Sequence, residues 1–216
     1  MGTKCAPTYA NIFMGFFEEL HIYPKINKFS KKYLRYIDDI FLIWTGTKQQ
    51  FLDFLEELNQ KHPTIKFDFK IAEKELNFLD TIVYKDRDNK LRTRLYKKPT
   101  DRQNYLHAKS EHPNNLKKSI PYSQALRINK ICYDQTDRDN DCEKLKAAFI
   151  QRGYKENFIN SEIERAKSVP RNNLLQPKKK ETKNRTALVV TYNKTLPNLS
   201  KIVRKNWELL KIDRDL

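Results

Sequence analysis

Cysteine is scarce in this chain, and the three present, Cys5, Cys132 and Cys142, are an odd number with no C-x-x-C pair among them. That argues against a disulfide framework. A zinc cluster of Cys132, Cys142, His107 and His112 fits no usual finger spacing, and free thiols pack well as small apolar groups. Long apolar runs are lacking too. No stretch approaches the roughly eighteen apolar residues a membrane span requires, so no membrane partner is expected. The amino terminus has no basic region, apolar core and cleavage site of a secretory signal. Nuclear or cytoplasmic residence, without secretion, follows by default. Hydrophobic residues are only 38% of the 216, low for a compact globule, although the length allows one domain or two small ones. Acid is short relative to base: 27 Asp and Glu face 43 Lys and Arg, for a net charge of +16. Residues 1–98 carry 18 bases against 13 acids, a net +5, whereas residues 99–216 carry 25 against 14, a net +11. An excess of this size is the footprint of phosphate contact, and it is concentrated in the second half.

Among the residues present, the run Tyr33-Leu34-Arg35-Tyr36-Ile37-Asp38-Asp39-Ile40-Phe41-Leu42-Ile43-Trp44 is the most informative. Two adjacent carboxylates interrupt an apolar, β-branched stretch, the pattern of two strands joined at a turn. Neighbouring acids repel and are costly to desolvate unless something positive sits beside them. A divalent metal would supply that charge, and two-metal nucleotidyl transfer needs carboxylates held rigidly. Asp is also an ordinary solvent-exposed turn residue.

The frame Tyr36-Ile37-Asp38-Asp39 resembles the Tyr-x-Asp-Asp box of reverse transcriptases. Upstream, Met1-Gly2-Thr3-Lys4-Cys5-Ala6-Pro7-Thr8-Tyr9-Ala10-Asn11 looks like that family's preceding glycine motif. The blocks His62 to Phe67, Leu76 to Thr81, Leu95 to Asp101, Tyr105 to His107 and Ser119 to Gln124 follow in an order that resembles Penelope-like retroelement polymerases over roughly residues 1 to 133. The resemblance implies RNA-templated DNA synthesis with two Mg2+ ions, an RNA template and a DNA primer. It implies Asp38 as the direct metal ligand and catalytic residue, with Asp39 the weaker second. Gly2, Lys4, Lys66, Arg92, Arg94, Lys97, Lys98, Arg127 and Lys130 are the implied nucleic-acid or nucleotide contacts. The chain also departs from the family. It begins at Met1 inside the glycine motif, so the fingers, the first palm strand with its third carboxylate, and the downstream GIY-YIG nuclease are expected to be missing. The polypeptide is therefore expected not to polymerise alone, and a truncated palm would expose surface for self-association.

The implied fold is α+β: a partial palm of antiparallel sheet with helices over 1–98, a helical thumb over 99–168, and a basic connector over 169–216. Pro7 suits a first helical turn, and Ala10, Phe13, Met14, Phe17 and Leu20 recur at helical spacing, which predicts a buried face. Thr47-Lys48-Gln49-Gln50 is a capping box opening a helix over 48–61. Ile65, Phe67 and Phe69 alternate with polar residues and predict a strand. Leu76 to Tyr84 and Leu91 to Tyr96 predict a hairpin around Asp88-Asn89, placed like a primer grip.

Beyond Pro99, Tyr122, Ala125, Leu126, Asn129 and Cys132 mark one face of a helix. Asp134 to Asp141 reads as an acidic loop. A helix over 142–152, Gly153 as its C-cap, and a helix carrying Phe158, Ile159, Ile163 and Ala166 outline a helix-turn-helix. This supports the alternative function, a nucleic-acid-binding module that presents Lys155, Asn157, Asn160 and Arg165 to a groove; an ordinary helical hairpin needs the same spacing. Past Ser168, Lys178 to Lys180 and Lys183 to Arg185 form a basic linker. Ala187 to Tyr192 predicts a strand, and Leu199 to Leu210 a helix around Trp207.

Overall fold

A computed structural model of the chain describes residues 3–177, 189–193, 195 and 197–210. It divides into two units, Met1–Arg92 and Thr93–Leu216. The architecture is mixed α+β, with small antiparallel sheets and helices.

The first unit opens with α1 (Ala6–Phe17), which has Pro7 in its first turn and runs through a π-helical turn, Glu18–Ile22, into α2 (Tyr23–Ile26). Of the expected buried face only Phe17 is buried; Phe13 is 38% and Leu20 68% exposed, because nothing among the described residues of this unit fully covers them. Strands β1 (Ser30–Tyr36) and β2 (Asp39–Trp44) pair antiparallel, with Tyr36 opposite Asp39. Helix α3 (Lys48–Gln60) starts at the expected capping box: the Gln50 amide N–H donates to Thr47 Oγ1 at 3.2 Å, and the Thr47 N–H to Gln50 Oε1 at 2.9 Å. Its Leu58 joins Phe17, Ile22 and Ile26 in a small core flanked by Tyr33, Trp44, Phe54 and Phe67, so the helix packs beside the hairpin.

Two strand expectations fail here. Residues 65–72 form no strand. The backbone of Phe67 is satisfied by a side chain instead, its N–H donating to Asn59 Oδ1 at 2.6 Å and its carbonyl accepting from Asn59 Nδ2 at 3.1 Å. With the amide groups met this way, the alternating pattern has no need of a partner strand. Leu76 to Tyr84 is likewise not one strand but a hairpin of its own, β3 (Glu75–Phe78) and β4 (Thr81–Lys85), turning at Leu79-Asp80. The chain turns again near Asn89 into β5 (Leu91–Leu95), inside which the two units divide. The strands thus form a two-stranded and a three-stranded sheet rather than one palm sheet.

The second unit is helical: α4 (Asn114–Ile131), α5 (Gln135–Gln151) and α6 (Glu156–Lys167), with α4 packed on both others, then the short α7 (Arg171–Leu175). Its core holds Ala125, Ile128, Cys132, Cys142, Leu145, Phe149, Tyr154, Ile159, Ile163 and Ala166, and Tyr105 stacks on Phe149 with ring centroids 4.4 Å apart. The expected acidic loop Asp134 to Asp141 is instead mostly the first two turns of α5. Acids near a helix N-terminus are favoured by the macrodipole, and Gln135 ties back to Asp139 one turn on.

Residues 189–193 are not a strand, and Ala187 and Leu188 lie outside the described residues. The terminal helix is broken at Asn206 into α8 (Leu199–Lys205) and α9 (Trp207–Leu210), with Trp207 exposed.

Candidate nucleic-acid interface

The β1–β2 hairpin turns on a two-residue loop, Ile37-Asp38, with Asp39 the first residue of β2. Ile37, its first central residue, has φ of 57° and Asp38 has not, the pattern of a type II′ turn. Gly is the usual occupant of that position; a β-branched residue there is strained. Arg35 holds the turn in place. Its Nη1 donates to the Ile37 carbonyl at 3.0 Å and to Asn11 Oδ1 at 2.9 Å. Its Nε and Nη2 meet Glu18 Oε1 and Oε2 at 2.5 and 3.1 Å. Glu18 is only 4% exposed, at the head of the π-helical turn, and also accepts from the Tyr33 hydroxyl at 2.7 Å. Burial, with that hydrogen bond, pushes the Tyr33 phenol well above its ordinary range; the bond to Glu18 pushes Arg35 further up, so it stays charged. Both aspartates are exposed. Among the described residues no group of three or more His, Cys, Asp or Glu side chains is placed to hold a metal. Mg2+ is commonly held by one or two carboxylates with water and substrate phosphates making up its octahedron, and Asp38 and Asp39 supply two exposed carboxylates.

The implied contacts scatter. Gly2 lies outside the described residues, and Lys4 is exposed at the entry to α1. Lys66 donates to the Asn59 and His62 carbonyls at 2.5 and 3.3 Å, so its charge sits on the C-terminal end of α3 rather than facing outward. Arg92 is engaged by Asp86, Nε to Oδ2 at 2.7 Å. In the second unit Lys97 lies 3.9 Å from Asp141, Arg94 is half-buried, and Lys98 is exposed. Arg127 and Lys130 are both exposed on α4.

The helical unit is built around Gly153. With φ of 78° it ends α5 in a Schellman motif: the Tyr154 N–H donates to the Phe149 carbonyl and the Gly153 N–H to the Ile150 carbonyl. A Cβ at Gly153 would also press on His107 at 3.3 Å. Tyr154 then repairs a fault in α4. Pro121, in that helix's interior, has no N–H for the Lys117 carbonyl four residues back. The Tyr154 hydroxyl donates to that carbonyl at 3.4 Å, while the buried Lys117 ammonium donates to the Ala108 and Ser110 carbonyls at 3.0 and 2.8 Å. Asn129, buried on the same helix, donates to the Ala166 and Val169 carbonyls and ties α4 to the end of α6.

Residues 104–164 match the animal helix-turn-helix domain family. That segment takes in all of α4 and α5 and most of α6, and none of the aspartate hairpin. No curated protein matches the chain, and no solved structure does. Within the helix-turn-helix segment, Lys155 and Asn157 are exposed and Asn160 is half-buried. Arg165 is occupied: its guanidinium lies 3.9 Å from the centroid of the Tyr122 ring and 3.0 Å from Glu162. Cys132 and Cys142 are core residues, not ligands. Burial pushes both thiols up, Cys132 to about 11, and its Sγ donates to Asp141 at 3.7 Å.

Sequence reasoning missed the Glu18 and Arg35 pair and the Tyr154 repair. Only the second left a local signal, since a proline in mid-helix always orphans the carbonyl four residues earlier.

Proposed function

We propose that this chain is a nucleic-acid-binding protein whose working part is the helix-turn-helix segment. The match at residues 104–164 carries the reading. The charge distribution supports it, with 25 of the 43 basic residues against 14 acids in residues 99–216. Phosphate contact of this kind releases counterions, so affinity falls steeply with salt.

A second reading, a fragment of an RNA-directed DNA polymerase, has one observation in its favour: a strained Ile37 turn that presents two carboxylates. Strain held by surrounding structure clusters at functional sites.

One experiment addresses both. Fluorescence anisotropy of the purified chain with labelled DNA duplex and RNA–DNA hybrid, between about 50 and 200 mM salt, should give a Kd that rises steeply with salt. Binding that is absent or indifferent to salt would refute the first reading. Primer extension on an RNA template with Mg2+, abolished by Asp38→Ala, would move the function to the second.

A further inference from the structure

In helix-turn-helix proteins the second helix enters the major groove through its early residues. Here that helix is α6, and its charge is wrong for the task. It carries three acids, Glu156, Glu162 and Glu164, against Arg165 and Lys167. Both bases are already paired, Arg165 with Glu162 and Lys167 with Asp139 at 2.8 Å and Glu164 at 3.6 Å. Its first residue, Glu156, would meet phosphate with a carboxylate. Helix α5 offers nothing better, with four acids against three bases.

Helix α4 differs. It has four basic residues, Lys117, Lys118, Arg127 and Lys130, and no acid. Lys117, Pro121, Ala125, Ile128 and Asn129 face inward and fix how the helix is turned. On the opposite side Asn115, Ser119, Ser123, Arg127 and Lys130, spaced four, four, four and three apart, form one exposed stripe, with Lys118 exposed to one side. At about 1.5 Å per residue the stripe runs for about 22 Å. Arg171 donates to the Lys130 carbonyl at 3.1 Å and sets a further cation at its end.

We infer that the nucleic-acid face of this unit is the exposed stripe of α4, not the second helix, and that it grips the phosphate backbone without reading bases. The inference rests on the nucleic-acid-binding reading above. Hydroxyls, amides and cations suit phosphodiester oxygens, the part of a duplex that positions a protein and carries no sequence. DNA duplex and RNA–DNA hybrid share that chemistry.

The test uses the full chain in two double variants, each checked for native circular dichroism: Arg127→Gln with Lys130→Gln on α4, and Lys155→Gln with Asn157→Ala at the start of α6. Affinity is measured for two unrelated DNA duplexes and one hybrid across a salt series. The α4 variant should weaken all three about tenfold and reduce the salt slope by about 2, with the α6 variant unchanged. If the α6 variant loses affinity or alters sequence preference while the α4 variant binds normally, the inference falls and the binding reading stands. A loss confined to one kind of duplex would overturn backbone-only contact. If the unmodified chain shows no salt-sensitive binding, the reading beneath the inference is what fails.

Discussion

Glu18 keeps its carboxylate inside the first unit because the Arg35 guanidinium meets both of its oxygens, and the same guanidinium holds the Ile37 carbonyl of the aspartate turn. Removing one partner of such a pair leaves a buried charge without its counterion, which costs about 3 kcal/mol or more, whereas replacing both with apolar groups is often close to neutral. Arg35→Met should therefore lower stability by about 3 kcal/mol in urea titration, and Glu18→Met with Arg35→Met should recover most of it. A double variant whose loss equals the sum of the Arg35→Met and Glu18→Met losses would mean that the pair is not coupled. Little of this was legible in the sequence. Arg35 stands 17 residues from Glu18, with no periodicity linking them. The turn itself was legible, since two acids interrupting β-branched runs have few other places to be. The strain at Ile37 was not, because Gly and Asn are the residues that announce a positive φ.

At the scale of elements, what was read correctly is what is decided locally. The capping box of α3 and the glycine end of α5 are closed by hydrogen bonds within a few residues, so their signatures survive without any knowledge of the fold. The segments whose structure departs from their local pattern are settled by distant or electrostatic partners: Asn59 takes the backbone of Phe67 away from any strand, and the acids of 134–141 are favourable at the start of α5. Helix α4 combines both kinds of cause. Its apolar spacing was plain, yet it tolerates Pro121 only with help from Tyr154. Tyr154→Phe leaves the Lys117 carbonyl buried and unpaired, which should cost about 1–2 kcal/mol of unfolding free energy. A cost near zero, by thermal or urea unfolding, would show that the 3.4 Å contact contributes nothing.

Across the whole molecule, composition pointed to the charged half, but not to which helix carries usable charge, because the Lys167–Asp139 pair and the stacking of Arg165 on Tyr122 are tertiary. The exposed aromatic face of α1 was also beyond reach, since helical spacing says which residues align and not whether anything covers them. The three cysteines have a further consequence. Cys5 is exposed, whereas Cys132 and Cys142 are enclosed in the helical core with thiols that resist ionisation. The thiolate is the species that reacts, so a maleimide reagent should modify the native chain once, at Cys5, and three times after denaturation, a difference that mass spectrometry counts directly. Rapid modification of all three under native conditions would contradict the packed core. The chain thus carries an intrinsic gauge of breathing: at reagent concentrations where trapping outpaces reclosing, the rate at which the second and third sulfur atoms are captured is the rate at which its helical unit opens.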